Sequence, residues 1–214
     1  MALTVDKIEV GLLATNCYLV GDSETRETFI VDPGADAGIL LDRIGAVGWE
    51  ISAVVLTHAH FDHVLAAGEI VNELGVPLLA SAPEAVVLTH APDVARRWLG
   101  IEVPPPPAPD RILTAGDTLT AGAATFRVAD TPGHSPGGIA LIGPDRAFVG
   151  DTIFAGSVGR TDLPGGDFDQ LMASIRDEIL TLPDETILHC GHGPDTTVGS
   201  ERSTNPFILQ MLDG

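Results

Sequence analysis

Six residues restrict this chain more than any others: His58-Ala-His60-Phe-Asp62-His63. Three imidazoles and a carboxylate fall within them. They follow the apolar run Ile51-Ser-Ala-Val-Val-Leu56 and precede a helical pattern over Val64–Leu74. The apolar run reads as a strand buried on both faces. The motif is therefore expected in the loop at the end of that strand, just ahead of a helix. Four ionisable side chains at a buried strand end are costly if unpaired. Packing does not call for that density of ligand-type side chains, but a metal does.

Spacing sharpens the point. His58 and His60 are two apart, so on extended chain they face the same way. Asp62 and His63 come where the chain turns toward a helix and are re-aimed to a second position. One short cluster can thus serve two metals a few Å apart. Other strand ends carry the same residue types. His134 lies in Thr131-Pro-Gly-His-Ser-Pro-Gly-Gly138, Asp151 follows the strand Arg146–Val149, and His192 lies in Gly191-His-Gly-Pro194. Small and turn-forming neighbours free each side chain to point inward. Imidazole and carboxylate suit zinc, iron or manganese, and no thiolate is needed. Asp151, with two oxygens, can bridge two metals. Such a pair can share a hydroxide, lowering the pKa of its parent water to about 7 and clamping an oxyanion. His90, in a polar loop, reads as a surface residue, and His189 as core or as packing behind the ligands. Cys17 and Cys190 read as small buried residues, Cys190 lying beside the site.

The rest of the chain alternates strands and helices. Ile8–Val10, Asn16–Val20 and Thr28–Val31 read as short antiparallel strands, with Asp32-Pro-Gly34 as a turn after the third. Ala37–Ile44 has helical spacing, Gly75 and Pro77 stop the helix begun at Val64, and Val76–Ala80 is a strand. Short helices are expected over Glu84–His90 and Val94–Leu99. The four prolines Pro104–Pro107 impose an extended surface loop. Strands follow at Ile112–Leu113, Asp117–Leu119 and Ala124–Ala129. A hairpin joins Ile139–Ile142 to Arg146–Val149. A helix over Phe168–Leu180 has Asp167 as its N-cap. Thr186–His189 is a last strand, and Thr204–Leu212 a closing helix.

Composition sets the outer limits. The chain has 214 residues, 44% of them hydrophobic, with mean hydropathy +0.25. This suits one globular domain, 1–214, with a sizeable core. The formal net charge of −19 argues against a nucleic-acid partner, since a phosphate backbone wants a basic face, and favours solubility. No apolar run reaches the length of a membrane span, and no basic region followed by an apolar one opens the sequence. Two cysteines are too few for a disulfide framework. A reducing cytoplasm and a small-molecule substrate are expected. The oligomeric state is left open.

Taken in order, His58-x-His60-x-Asp62-His63, Thr131-Pro-Gly-His134-Ser-Pro-Gly137, Gly150-Asp151-Thr and Gly191-His192-Gly resemble the metallo-β-lactamase superfamily. The Thr-Pro-Gly-His-Ser-Pro-Gly loop resembles its glyoxalase II (hydroxyacylglutathione hydrolase) branch. The resemblance covers nearly the whole chain and fills all seven ligand positions. It implies an α/β (α+β) fold, an αββα sandwich of two mixed sheets with helices outside. It assigns His58, His60 and His134 to a first metal, Asp62, His63 and His192 to a second, and Asp151 to the bridge.

Two further stretches narrow the branch. Ser157-Val-Gly-Arg160-Thr-Asp162-Leu resembles a loop shared by small glyoxalase II-like hydrolases and persulfide dioxygenases. The run from Gly193 through Glu201, Arg202 and Asn205-Pro-Phe207 resembles the ending of the small hydrolases. Arg160 is a candidate to orient an anionic substrate or to pair with a nearby acid. The segment after His192 is short and has Arg202 as its one basic residue, so the C-terminal glutathione-binding contacts of full-length glyoxalase II do not carry over. The resemblance thus implies a hydrolase with two divalent ions, zinc first and iron or manganese as alternatives. It would cleave S-2-hydroxyacyl thiols of the S-lactoylglutathione type by attack of a metal-bridging hydroxide, with Asp62 and Asp151 as its catalytic carboxylates. The alternative is persulfide oxygenation at a single iron held by His58, His134 and Asp151.

Overall fold

The computed structural model describes residues 3–212. Strands β1 (Leu3–Val10), β2 (Thr15–Asp22) and β3 (Glu27–Val31) form an antiparallel meander. After helix α1 (Ala37–Val47), β4 (Glu50–Val55) pairs parallel to β3. Helices α2 (Phe61–Val64) and α3 (Ala67–Leu74) lead to β5 (Leu78–Ser81), parallel to β4. Helices α4 (Ala82–Leu88) and α5 (Ala91–Leu99) and an extended stretch holding the four prolines lead to β6 (Arg111–Leu113), parallel to β5. The first sheet thus has the order β1-β2-β3-β4-β5-β6.

The second half begins with the antiparallel run β7 (Thr118–Ala121), β8 (Ala124–Asp130), β9 (Ile139–Ile142) and β10 (Arg146–Gly150). A small hairpin, β11 (Ile153–Phe154) and β12 (Ser157–Val158), precedes helix α6 (Phe168–Ser174), which continues as a wider π-type turn over Ile175–Ile179. β13 (Ile187–Cys190) returns parallel to β10, and β14 (Thr196–Thr197) closes the sheet. Helices α7 (Val198–Thr204) and α8 (Pro206–Leu212) follow. The second sheet has the order β14-β13-β10-β9-β8-β7.

Strand alternation builds three apolar layers from these two sheets. On β2, Tyr18 and Val20 face inward, with Phe29, Val31 and Val55 beside them. They meet Phe126, Val128, Leu141 and Phe148 of the other sheet. The opposite faces are covered by helices. Cys17, Leu19, Val54 and Leu78 pack under Leu40, Ile44, Ala67 and Ile70. Ala140, Val149 and Leu188 pack under Leu171, Ile175, Val198 and Ile208. Two mixed sheets face to face with helices outside is the αββα sandwich that the resemblance implied.

Several local expectations need correction. The helix read over Val64–Leu74 is two helices, because the Ala66 amide donates to Pro33 O (3.1 Å) and turns the chain. Asp62 and His63 therefore sit inside the short α2, not ahead of a helix. The run 51–56 is not buried on both faces throughout: Ile51 is half-buried and Ser52 exposed, and full burial begins at Ala53. The strand read over Val76–Ala80 is shifted to Leu78–Ser81, and that over Asp117–Leu119 to Thr118–Ala121. The closing helix read over Thr204–Leu212 is α8, which begins at Pro206, and the separate helix α7 precedes it. The helices read over Glu84–His90 and Val94–Leu99 begin earlier, at Ala82 and Ala91, each with proline in its first turn, where no amide partner is needed. Asp167 caps α6 as expected, accepting the Gln170 amide at 3.0 Å.

Candidate metal centre

All seven candidate ligands meet at one end of the sandwich. The donor atoms of His58, His60 and His134 lie within 4.8 Å of one another, and so do those of Asp62, His63 and His192. His60 Nδ1 is 2.8 Å from His134 Nε2, and His63 Nε2 is 3.3 Å from His192 Nε2. Asp151 stands between the triads. Its Oδ1 is 3.4 Å from His63 Nε2, and its Oδ2 is 3.6 Å from both His134 Nε2 and His192 Nε2. Asp62 Oδ2 lies 3.2 Å from His192 Nε2.

The backbone makes this convergence possible. β10 ends in Gly150, in the left-handed region at φ +49°, where a side chain would run into Thr57. At Gly191 a side chain would strike Asp151 Oδ1 and His63 Cε1. The glycines beside the ligands thus let three loops close over one small volume.

Atoms outside the centre fix the rings. His134 Nδ1–H donates to the Arg160 carbonyl (2.8 Å), and His192 Nδ1–H to the Leu13 carbonyl (3.1 Å). A carbonyl only accepts, so the proton must sit on Nδ1, and Nε2 presents its lone pair inward. Asp32 does the same for two more rings. Its carboxylate accepts the Thr57 amide (2.7 Å), the Thr57 hydroxyl (2.5 Å) and His63 Nδ1–H (3.0 Å). The Thr57 hydroxyl proton being committed to Asp32, its oxygen accepts from His58 Nδ1 at 3.1 Å, which turns the His58 Nε2 lone pair inward. Asp32 therefore orients one imidazole of each triad, as outer partners of metal ligands do.

Electrostatics separates the triads. Burial, reinforced by His63, His60 and His134, pushes His58 well below the ordinary imidazole range. Burial and His134 push His60 down to about 4. These rings stay neutral, as ligands must. For His63 burial acts the same way, but the Asp151 and Asp62 carboxylates outweigh it and lift the ring. His192 is lifted against burial by Asp62 and Asp151. Burial would raise Asp62 and Asp151; the imidazoles, His63 foremost, overcome it and hold both below the usual carboxylate range.

A cation fits these residues on the structure's own terms. His58 Nε2 and Asp151 Oδ1 are buried and have no hydrogen-bond partner. Unsatisfied polar atoms in such a place are expensive unless something binds them. Both atoms face the donor cluster.

The remaining expectations divide. His90 is exposed, and Cys17 and Cys190 are buried. His189 is buried, stacks on Phe148 at 4.7 Å and donates to Asp195 (2.8 Å), so it belongs to the packing behind His192. Of the two roles open to Arg160, the structure shows the pairing: its exposed guanidinium bonds Asp162 at 2.7 and 2.8 Å and lies 5.9 Å from the Trp98 ring. Asp32, Thr57 and Glu84 are passed over by the sequence pattern. Asp32 had a legible signal, an acid directly after the apolar strand Phe29-Ile-Val31. Glu84 had none, since an acid in a helix's first turn usually faces water.

With this geometry, the chain belongs to the metallo-β-lactamase superfamily, whose family model matches residues 10–192. Hydroxyacylglutathione hydrolase GloC of Haemophilus influenzae is 36% identical over 210 residues, 96% of this chain and 98% of that protein. Among solved structures, TTHA1623 in a di-iron-bound form is 42% identical with a TM-score of 0.88, covering 95% of this chain and all of that one. The B3 metallo-β-lactamase BLEG-1 is 38% identical with a TM-score of 0.89, covering 96% and 99%. The chain is thus a metallo-hydrolase of that superfamily, similar to a glyoxalase II-like member. Among the described residues no helix is long and apolar enough to cross a membrane.

Proposed function

We propose that this chain hydrolyses thioesters of the S-2-hydroxyacyl-thiol type with two divalent metal ions, zinc in the first instance. Near-full-length similarity to a hydroxyacylglutathione hydrolase supports the substrate class. The observation that carries the reading is the meeting of two donor triads on either side of Asp151. His58, His60 and His134 would hold one ion, Asp62, His63 and His192 the other, and Asp151 both. The same donors accept iron or manganese. When bound, the ions supply Lewis acidity, ionising a water near neutral pH and polarising a carbonyl.

The chain's own groups set the conditions for that chemistry. Asp62 and Asp151 remain ionised and offer oxygens that can orient a nucleophilic water. The inward lone pairs are fixed by Asp32, Thr57 and the Leu13 and Arg160 carbonyls, so little rearrangement is needed on reaction. A thiolate is a good leaving group, and no strong general acid is required. Leu12 and Leu13 stand exposed beside His192, and Trp98 beside Phe61, giving the mouth apolar flanks for acyl and thiol groups.

The test is hydrolysis of S-lactoylglutathione by zinc-loaded protein beside a His58→Ala variant, with a chromogenic β-lactam as competitor substrate. A fall of about a thousandfold or more in the variant is expected. Equal rates in the two proteins, or a preference for the β-lactam, would remove the proposal. Oxidation of a persulfide at one iron is the second reading, because His58, His134 and Asp151 are also assembled. One iron per chain with oxygen uptake on glutathione persulfide would put it first.

A further inference from the structure

Glu84 is completely buried, yet neither of its carboxylate hydrogen bonds goes to one of the seven candidate ligands. It lies in the first turn of α4, and each of its oxygens has a separate task. Oε2 accepts the Ala59 amide at 2.6 Å, and Oε1 accepts the Gly137 amide at 2.7 Å. Ala59 sits between His58 and His60. Gly137 belongs to the loop that carries His134. Ser81, just ahead of α4, donates from Oγ to the Gly137 carbonyl at 2.5 Å. A side chain at Gly137 would run into Ser81, Pro83 and the Glu84 backbone, so this loop is pressed directly onto the start of the helix.

The start of α4 therefore ties together the two segments that supply the first triad. The second triad is held elsewhere: His63 by Asp32 and His192 by the Leu13 carbonyl. We propose that Glu84 is a positioning residue for the first metal site alone, setting the spacing between His58 and His60 on one side and His134 on the other. A carboxylate is required because it is acceptor-only at both ends. A glutamine presents one oxygen and one amide group, which would meet a backbone N–H with another donor. The proposal rests on the grouping of the triads and not on the reaction, so it stands for hydrolase and oxygenase alike.

The experiment isolates each site in the full-length chain. Zinc affinity is measured against a chromophoric chelator in a His192→Ala background, which keeps the first triad whole, and in a His58→Ala background, which keeps the second. Adding Glu84→Gln should weaken zinc binding on the order of tenfold or more in the first background and leave it within about twofold in the second. Equal losses in both backgrounds would make Glu84 a general support of the fold, and no loss in the first would remove its role; either overturns the proposal. If Glu84→Gln does not fold by circular dichroism, Ser81→Ala carries the test. It removes one bond to the His134 loop and should weaken only the first site, by about fivefold. An unchanged first site in that variant overturns the proposal too.

Discussion

At the residue scale the centre depends on where protons are held as much as on the ligands themselves. Asp32 accepts three hydrogen bonds, two from Thr57 and one from His63, and through Thr57 it reaches His58. Asp32→Asn keeps the shape and replaces one acceptor oxygen by a donor. It should therefore disturb one ring in each triad. Zinc affinity is expected to fall on the order of tenfold to a hundredfold at both sites in a chelator competition, unlike the one-sided loss expected for Glu84→Gln. Asp32 is buried, and losing a charge-assisted bond there should also destabilise the chain by about 2–3 kcal/mol, read in chemical denaturation.

At the element scale, α5 packs against α2, which carries Asp62 and His63, and supplies no candidate ligand itself. Its Trp98 ring is half exposed, 6.2 Å from Phe61 and 5.9 Å from the Arg160 guanidinium. An indole left in water beside a candidate metal centre is suited to stacking on substrate. Trp98→Ala should raise KM severalfold with little change in kcat or metal content, as a binding surface does when it acts equally on ground and transition states. The mirror case is Arg160. Its carbonyl, not its guanidinium, holds His134, so the tie to the centre does not depend on the side chain.

At the scale of the whole molecule the dominant fact is the charge. Eleven lysines and arginines face thirty aspartates and glutamates. Many of the bases are already engaged with neighbouring acids, among them Arg43 with Asp6, Arg127 with Glu178 and Arg160 with Asp162. The overall field of the protein therefore opposes the approach of anions. Raising ionic strength should increase kcat/KM for an anionic thioester such as S-lactoylglutathione by a few fold, because salt screens that repulsion. A neutral thioester of the same acyl group should show little dependence. A rate that falls with salt for the anionic substrate would point to a local basic contact stronger than the global field.

The ligand types, their spacing and the strand ends that carry them were written in the sequence. His58 and His60 lie two apart, and Asp62 and His63 follow where the chain turns, so local geometry alone aims the two pairs at adjacent positions. The glycines and prolines around His134, Asp151 and His192 mark turns by the same local rules. The apolar pattern of the chain placed most of the strands and helices, whereas two facing sheets were implied by the resemblance alone. What the sequence did not decide was everything that acts between segments distant in the chain. The break after α2 depends on Pro33, the inward lone pair of His58 on Asp32, and the junction of the His58 and His134 segments on Glu84. Each of these is a hydrogen bond between groups more than 20 residues apart. Its direction depends on a carboxylate or carbonyl that local pattern assigns to a turn or a solvent face. The His58–His63 motif named its own chemistry; only the folded sandwich decided which atoms hold its rings in place.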